Sequence, residues 1–299
     1  MHRFSDDWPS LRWEGALAET LYGPTGRMML ADWLELQRAR VGDADFARLF
    51  SDHIELPGIA PLDYAHRHIR TQAGALLGGI RFYAQDITRP FVEVIAHSFD
   101  SLDALATTVA AEWQSFAPHH MRTRHRPGET LPKGSHIDTS IFLARYRDMR
   151  APRPEVTLTP FPAPEPAIAM VAARFAAMEQ ETPELRKGVI PADDETLRAL
   201  WDSGDLFAIH VEGKGITGLI AAAPGAIDWI AGDEVIEEIV RLDHAGFGYA
   251  AAAQSALAAR HPTRDRLLIG TIDGGNIASR KTALKAGRWQ ALDYVFTPL

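Results

Sequence analysis

The stretch that decides the fold is Glu234-Val235-Ile236-Glu237-Glu238-Ile239-Val240, followed by a turn at 241–245 and then Gly246-Phe247-Gly248. The first seven residues have the composition of a β-strand, and the alanine-rich run after Gly248 is typical of a helix. The first N–H groups of a helix have no backbone partner, and glycine lets a phosphate approach them closely. The pattern therefore predicts an anion site at the glycine turn.

A second strand–helix unit follows about twenty residues later. Its strand is Arg266-Leu267-Leu268-Ile269-Gly270-Thr271, and its helix begins at Asn276-Ile277-Ala278-Ser279 and ends at Lys285-Ala286-Gly287-Arg288. We interpret the two consecutive units as parts of one binding site for an anionic ligand.

The two units resemble the GNAT superfamily of acyl-CoA-dependent N-acyltransferases. The family's pyrophosphate loop is Gln or Arg, two residues, Gly, one residue, then Gly or Ala. Asp243-His244-Ala245-Gly246-Phe247-Gly248 matches it at both glycines and departs at Asp243. The next family motif is met by Asn276, Ser279 and Lys285-Ala286-Gly287. The likeness covers roughly the C-terminal half.

This resemblance implies a reaction and a set of residues. The co-substrate would be acetyl-CoA or another acyl-CoA, and the acyl group would pass directly to an amine on a small molecule or a protein. Glu234 is the first candidate for the catalytic base and Glu238 the second, and strand alternation predicts that both lie on one face with Ile236 and Val240. The expected acyl-CoA-binding residues are Ile239, Val240, Ala245, Gly246, Phe247, Gly248, Tyr249, Asn276 and Ser279.

Some residues depart from the family pattern and leave a non-catalytic alternative open. Many members have a tyrosine general acid where this chain has Ala283, and Tyr294 on the final strand is the candidate to replace it. Asp243 would repel a pyrophosphate. The alternative is a GNAT-derived module that binds an acyl-CoA or another anion, or serves only in assembly.

A rival interpretation uses the same glycines. Gly246-Phe247-Gly248-Tyr249-Ala250-Ala251 also fits the G-x-G-x-x-A dinucleotide fingerprint, and Asp273 ends the next strand where a ribose ligand would belong. A doubly wound fold needs several further strand–helix units after the fingerprint. Only one helix and one strand follow here, so we favour the acyl-CoA interpretation.

Composition narrows the class of protein. The chain has 299 residues, 46% of them hydrophobic and 23% charged, as in an ordinary globular protein. A formal net charge of −8 argues against nucleic-acid binding, and the absence of cysteine excludes disulfides, thiolate metal sites and a cysteine nucleophile. With no signal-peptide pattern and no membrane-spanning run, we expect a cytoplasmic protein without a membrane partner.

Prolines at 152, 154, 160, 162, 164 and 166 indicate a boundary, so we predict domains at 1–151 and 152–299. After this boundary the pattern is a strand at 156–159, a helix from Ile168 to Met178, and a helix that Asp194 caps. A hairpin at 206–221 precedes the two strand–helix units. That order is the one found in GNAT domains, and the resemblance implies an α/β fold of the α+β type, with a central mixed sheet flanked by helices.

The N-terminal half predicts a second α/β domain. Helices are expected at 26–39, 43–50 and 101–116, and strands at 75–83, 91–97 and 140–145. Two strands, a helix and a strand also describe the middle of a GNAT domain, but Ser98-Phe99-Asp100-Ser101 is not a glycine loop. A degenerate GNAT-like copy and an unrelated domain for packing or acceptor binding are both compatible with this pattern.

Histidines cluster at His66 and His68 and within 118–126, which contains His119, His120 and His125. No third ligand has consistent spacing, so we predict no metal site and interpret 118–126 as a polar surface loop. The arginines in that segment suit either an acidic acceptor or a neighbouring subunit of a homodimer.

Overall fold

The computed structural model describes residues 8–299, which form two compact units. Unit 1 comprises the described residues up to Asp138 together with Leu292–Leu299, and unit 2 comprises Thr139–Ala291. This division by contacts differs from the predicted one, because residues 139–151 lie in unit 2 and the segment from Leu292 lies in unit 1. The boundaries 1–151 and 152–299 stay a prediction about folding domains.

Unit 1 is a mixed sheet with helices. Its strands run in the order β1–β2–β3–β4–β11, and the β3–β4 pair is parallel while its other neighbours are antiparallel. The strands are β1 (Arg67–Arg70), β2 (Ala75–Phe82), β3 (Pro90–His97), β4 (His120–His125) and β11 (Trp289–Pro298), the last contributing from Leu292 onward; the helices are α1 (Arg12–Tyr22), α2 (Gly26–Ala39), α3 (Ala44–Ser51) and α4 (Leu102–Glu112).

The segment predicted to be a surface loop, 118–126, contains β4. Its pairing with β11 runs from Asp293↔His125 to Pro298↔His120, and Met121 and Thr123 are buried. The loop prediction is therefore wrong. The many histidines and arginines of this segment suggested an exposed loop, and the strand was missed because its partner β11 lies far away in the sequence.

Unit 2 has the predicted mixed sheet, ordered β6–β7–β8–β9–β10–β5, in which only β9 and β10 pair in parallel among the described neighbours. The α/β fold class is confirmed. The strands are β5 (His136–Arg145, from Thr139 in this unit), β6 (Val156–Pro160), β7 (Leu206–Val211), β8 (Gly215–Ile227), β9 (Ile230–Val240) and β10 (Leu267–Asp273); the helices are α5 (Glu165–Glu181), α6 (Pro183–Arg186), α7 (Asp194–Ser203), α8 (Tyr249–Arg260) and α9 (Ile277–Ala286).

Helices cover both faces of the unit 2 sheet. On one face α8 packs through Ala253 and Leu257 against a cluster that includes Leu268 of β10. On the other face α5 and α7 pack through Phe175 and Leu197. The start of α7 differs from the prediction by one residue, because the Asp193 side chain, not that of Asp194, accepts the capping hydrogen bond from the Thr196 N–H.

Strands β9 and β10 separate soon after they pair. Within residues 8–299 their parallel register consists of Leu268↔Asp233 and Ile269↔Glu234, whereas β8 continues to pair with β9 as far as Val240. Because one side of β9 lacks a neighbouring strand after Glu234, backbone groups on that side are open to another partner. An opening between two parallel strands therefore lies directly before the glycine turn.

A β-bulge coincides with this opening. Ala221 lies opposite Glu237 and Ala222 opposite Val235, so Ile236 is an extra residue in β9. The packing agrees, because Val235 and Val240 both contact the α8 cluster although they are five residues apart. Regular alternation would have placed those two side chains on opposite faces.

Unit 1 has the same combination of a short parallel strand pair followed by a β-bulge. Strands β3 and β4 pair in parallel from Phe91↔His120 to Glu93↔Arg122, and the bulge in β3 falls at Ile95. In each unit, then, the bulge follows the last parallel pair by two residues.

Candidate active site

The glycine turn has the conformation that the sequence predicted. Gly246 and Gly248 have φ of +83° and +78°, in the left-handed region that favours glycine, and Gly248 is the N-cap of α8. The preceding turn is closed by hydrogen bonds from the His244 and Ala245 N–H groups to the carbonyls of Arg241 and Leu242. The N–H groups of the first turn of α8 have no carbonyl partner within the helix, as at any helix N-terminus.

A cavity of about 760 Å³ in unit 2 joins the glycine turn to the strand opening. Of the eleven site residues predicted from the sequence, ten line it: Glu234, Glu238, Ile239, Val240, Ala245, Gly246, Gly248, Tyr249, Asn276 and Ser279. Phe247 does not line it, since its ring is 56% exposed and stacks on Tyr249 at 5.7 Å. The roles of all eleven residues stay predictions.

The cavity also has walls that sequence reasoning missed. Phe175 and Met178 of α5 line it, and so do residues of the segment 181–190. These residues belong to no motif that marks a binding site, so the sequence held no signal for their role in the cavity.

The prediction that Glu234 and Glu238 share a face is wrong. Glu238 accepts a hydrogen bond at 2.7 Å from Gln254 Nε2 of α8, so it lies on the α8 face. The bulge at Ile236 reverses the alternation between the two glutamates, which places Glu234 on the opposite face. The two side chains therefore border the cavity from opposite faces of β9.

Glu238 is the most perturbed carboxyl group in the cavity. Burial raises its pKa to about 7, although the positive charge of Arg288 and the hydrogen bond from Gln254 favour the ionised form. A carboxylate that titrates near neutral pH is suited to accept a proton from an amine. Burial also raises the pKa of Glu234, which is half-buried.

A third glutamate in the same strand was not predicted as a site residue. Glu237 accepts hydrogen bonds from the Ala192 N–H and the Glu238 N–H, both at 3.1 Å, and burial raises its pKa. Its carboxylate therefore ties β9 to the segment before α7. These hydrogen bonds give Glu237 a structural role in the fold.

The raised pKa of Glu238 predicts how the free energy of unfolding changes with pH. Between pH 4.5 and about 7 the folded protein retains a proton that the unfolded chain has released, so this group lowers the free energy of unfolding as pH rises. The fall is on the order of 3 kcal/mol over that range. Urea unfolding at pH 5 and pH 8 should show that Glu238→Gln removes this part of the slope. Identical slopes in parent and variant would contradict the raised pKa.

Charged side chains surround the glycine turn. Arg153 Nη1 donates to the Phe247 carbonyl at 2.8 Å, and Lys214 Nζ lies 4.6 Å from the centre of the Phe247 ring. Asp243, which departs from the family motif, accepts hydrogen bonds from Arg241 Nε at 3.2 Å and Nη2 at 2.8 Å. Its charge is thus partly neutralised by a neighbour two residues away.

Parts of the second motif have structural roles. The Asn276 side chain caps α9 by accepting from the Ser279 N–H at 3.0 Å, and Gly287, with φ of +103°, ends the same helix. Ala283 is fully buried against Phe142 and Ile272. Tyr294, the predicted substitute acid, lies in unit 1, where the Arg122 and Arg124 guanidinium groups lie 5.0 Å and 5.5 Å from its ring.

Residues 8–299 contain no cluster of three or more His, Cys, Asp or Glu side chains able to hold a metal ion. Within the same range, every helix is either too short or too polar to cross a bilayer.

No protein-family model and no curated protein matches the chain. Solved structures with similar folds include an acetyltransferase of the GNAT family from Colwellia psychrerythraea (13% identity, TM-score 0.46, covering 90% of this chain and 97% of that one). Others are a GCN5-related N-acetyltransferase from Sphaerobacter thermophilus (13%, 0.48, 89% and 92%) and a tandem GNAT protein from the clavulanic acid biosynthesis pathway (14%, 0.42, 90% and 94%). All three TM-scores are below 0.5.

Proposed function

We propose that unit 2 is a GNAT-type N-acyltransferase that moves an acyl group, acetyl by default, from an acyl-CoA to an amine. The observation that carries the proposal is the bulged, one-sided strand β9, which leads directly into a glycine turn at the N-terminus of α8. Both features line one cavity with Glu238. This combination provides an anion cradle, an open strand edge and a proton acceptor.

The cavity suits coenzyme A in two ways. The positive φ of Gly246 and Gly248 exposes the N–H groups at the start of α8 to a pyrophosphate, and the cations of Arg153 and Lys214 lie close to that turn. The edge of β9 after Glu234 can pair with the amide groups of the pantetheine arm as an added strand would. The thioester supplies an activated acyl group.

Glu238 is the base we propose, with Glu234 second. Desolvation raises the pKa of Glu238 to about 7, and Gln254 donates to one carboxyl oxygen while the other, the buried Oε1, has no hydrogen-bond partner. An amine that donates to Oε1 would lose its proton there as the C–N bond to the acyl carbon forms; the C–S bond then breaks, and the coenzyme leaves as a thiolate that takes up a proton. Family resemblance favoured Glu234, but burial and pKa favour Glu238.

One observation supports the non-catalytic alternative, an acyl-CoA-binding or assembly module. Ala283 fills the position of the usual general acid and is packed into a core cluster, so no hydroxyl group is available at that point of α9. Thiol release from acetyl-CoA over a panel of amines separates the alternatives. Turnover supports the enzyme, binding without turnover supports the module, and neither supports an assembly role.

Unit 1 is best explained as a degenerate copy of the same fold without a cofactor site. Its strand opening is occupied by Arg124, whose Nη1 donates to the Ile95 carbonyl at 3.0 Å and to the Val94 carbonyl at 3.4 Å. The equivalent position in β10, two residues after the last parallel pair, is Thr271, which lines the cavity of unit 2. We expect one acetyl-CoA per chain in a calorimetric titration.

Asp243→Gln should tighten acetyl-CoA binding. The substitution removes a carboxylate beside the glycine turn and frees the Arg241 guanidinium to meet a phosphate. Both side chains are about half exposed, so we expect a modest gain of roughly threefold to tenfold at low salt, shrinking as salt screens the charges. Calorimetry at two salt concentrations measures it. Glu195→Gln, the same charge change on α7, is the control and should have no effect; unchanged affinity in Asp243→Gln would show that its charge does not act on the ligand.

A further inference from the structure

Arg288 is a cation buried within unit 2 at the wall of the cavity. The residue is only 4% exposed, and its Nε and Nη1 atoms have no hydrogen-bond partner. An unpaired buried guanidinium is costly, because it loses hydration without gaining hydrogen bonds. A residue of this kind at the wall of a cavity points to an anionic ligand group.

The neighbouring acid does not satisfy it. Glu238 attracts Arg288 electrostatically, but the oxygen of Glu238 that has a partner is bonded to Gln254, and Oε1 is unpartnered like the Arg288 nitrogens. Donors and an acceptor therefore remain unused on two adjacent polar groups inside one cavity.

The backbone of β10 makes room for this arginine. A Cβ atom at Gly270 would lie 2.9 Å from Arg288 Nη1, so the side chain passes over a position where the strand has no side chain. Gly270 itself lines the cavity and lies just after the last parallel pair of β9 and β10. The guanidinium is thus held at the opening where the acyl group and the amine would have to meet.

We propose that the cavity recognises a carboxylate group on one of the two substrates and that Arg288 binds it; this inference rests on the acyl-transfer function proposed above. A guanidinium presents a planar set of N–H donors that matches the two oxygens of a carboxylate. The carboxylate has two possible sources: the acyl group of a dicarboxylic acyl-CoA, or an amino acid acceptor. In the second case Glu238 would accept a proton from the amine of the amino acid, and Arg288 would bind its carboxylate.

Two comparisons distinguish the sources. On the donor side, calorimetry compares malonyl-CoA with propionyl-CoA, which has the same number of acyl carbons and no carboxylate. On the acceptor side, thiol release from acetyl-CoA compares phenylalanine with phenethylamine, its decarboxylated counterpart. We expect the parent protein to prefer the carboxylate in one of these pairs by at least tenfold. Arg288→Met, which keeps much of the side-chain volume, should reduce that preference to about onefold while leaving acetyl-CoA affinity unchanged.

Other results overturn the inference. Equal use of both members of each pair by a parent that binds acetyl-CoA and releases thiol would refute carboxylate recognition and leave the acyl-transfer function intact. An equal loss of affinity for all donors in Arg288→Met would place Arg288 on the coenzyme instead. A parent that binds no acyl-CoA refutes the proposed function itself. If Arg288→Met does not fold, Arg288→Lys keeps the charge but loses the planar fork, and should lower the preference without abolishing it.

Discussion

Gly248→Glu is expected to abolish acetyl-CoA binding. The new carboxylate would lie at the N-cap of α8, where the proposed pyrophosphate site is, and would compete for the same N–H groups. Since the opening in unit 1 is occupied by Arg124, no second site should rescue binding. Calorimetry with acetyl-CoA should give no measurable heat of binding.

Backbone strain must be separated from charge in that experiment, because Gly248 has φ of +78°. Gly204→Glu is the matched control, since Gly204 has φ of +80°, ends α7 and has open space where a Cβ atom would lie. Gly248→Ala introduces the strain without the charge and should weaken binding only modestly. If Gly248→Glu binds acetyl-CoA as tightly as the parent, the glycine turn is not the phosphate site.

Glu238→Gln is expected to lower turnover by roughly a hundredfold or more at neutral pH, with little change in donor affinity. Glu234→Gln should remain near the parent rate, because the bulge places that side chain on the other face of the sheet. With a weakly basic amine that stays neutral over the range, kcat/KM of the parent should rise with pH and level off above about 7, where Glu238 has lost its proton. Glu238→Gln should lack this rising limb.

The opposite pattern would change the assignment. A full-rate Glu238→Gln beside a slow Glu234→Gln would restore the base that family resemblance favours. Two full-rate variants would remove β9 side chains from proton transfer and leave the strand with a binding role alone.

The glycine turn could be predicted from the sequence because its signal is local. Gly246 and Gly248 stand between a strand pattern and a helix pattern, and both have the positive φ that such a turn needs. The bulge at Ile236 could not be predicted, since an extra residue between two glutamates leaves the composition of a strand unchanged. Because this one extra residue was not predicted, Glu234 and Glu238 were placed on the same face of β9 although they lie on opposite faces.

The burial of Arg288 could not be predicted from the sequence either. In the sequence Arg288 directly follows a helix-ending glycine, and an arginine at such a position is ordinarily a surface residue. Its guanidinium lies over Gly270 of β10, a contact that spacing along the chain does not reveal. Likewise, pairing of β11 with β4 joins segments separated by most of the chain.

That pairing has a consequence for biogenesis. During synthesis β4 emerges well over a hundred residues before Leu292–Leu299, the segment that completes its sheet. Until then the β4 edge presents unpaired backbone groups, which is the condition under which a nascent sheet associates with other chains. We therefore expect the sheet of unit 1 to be completed only after unit 2 has been synthesised.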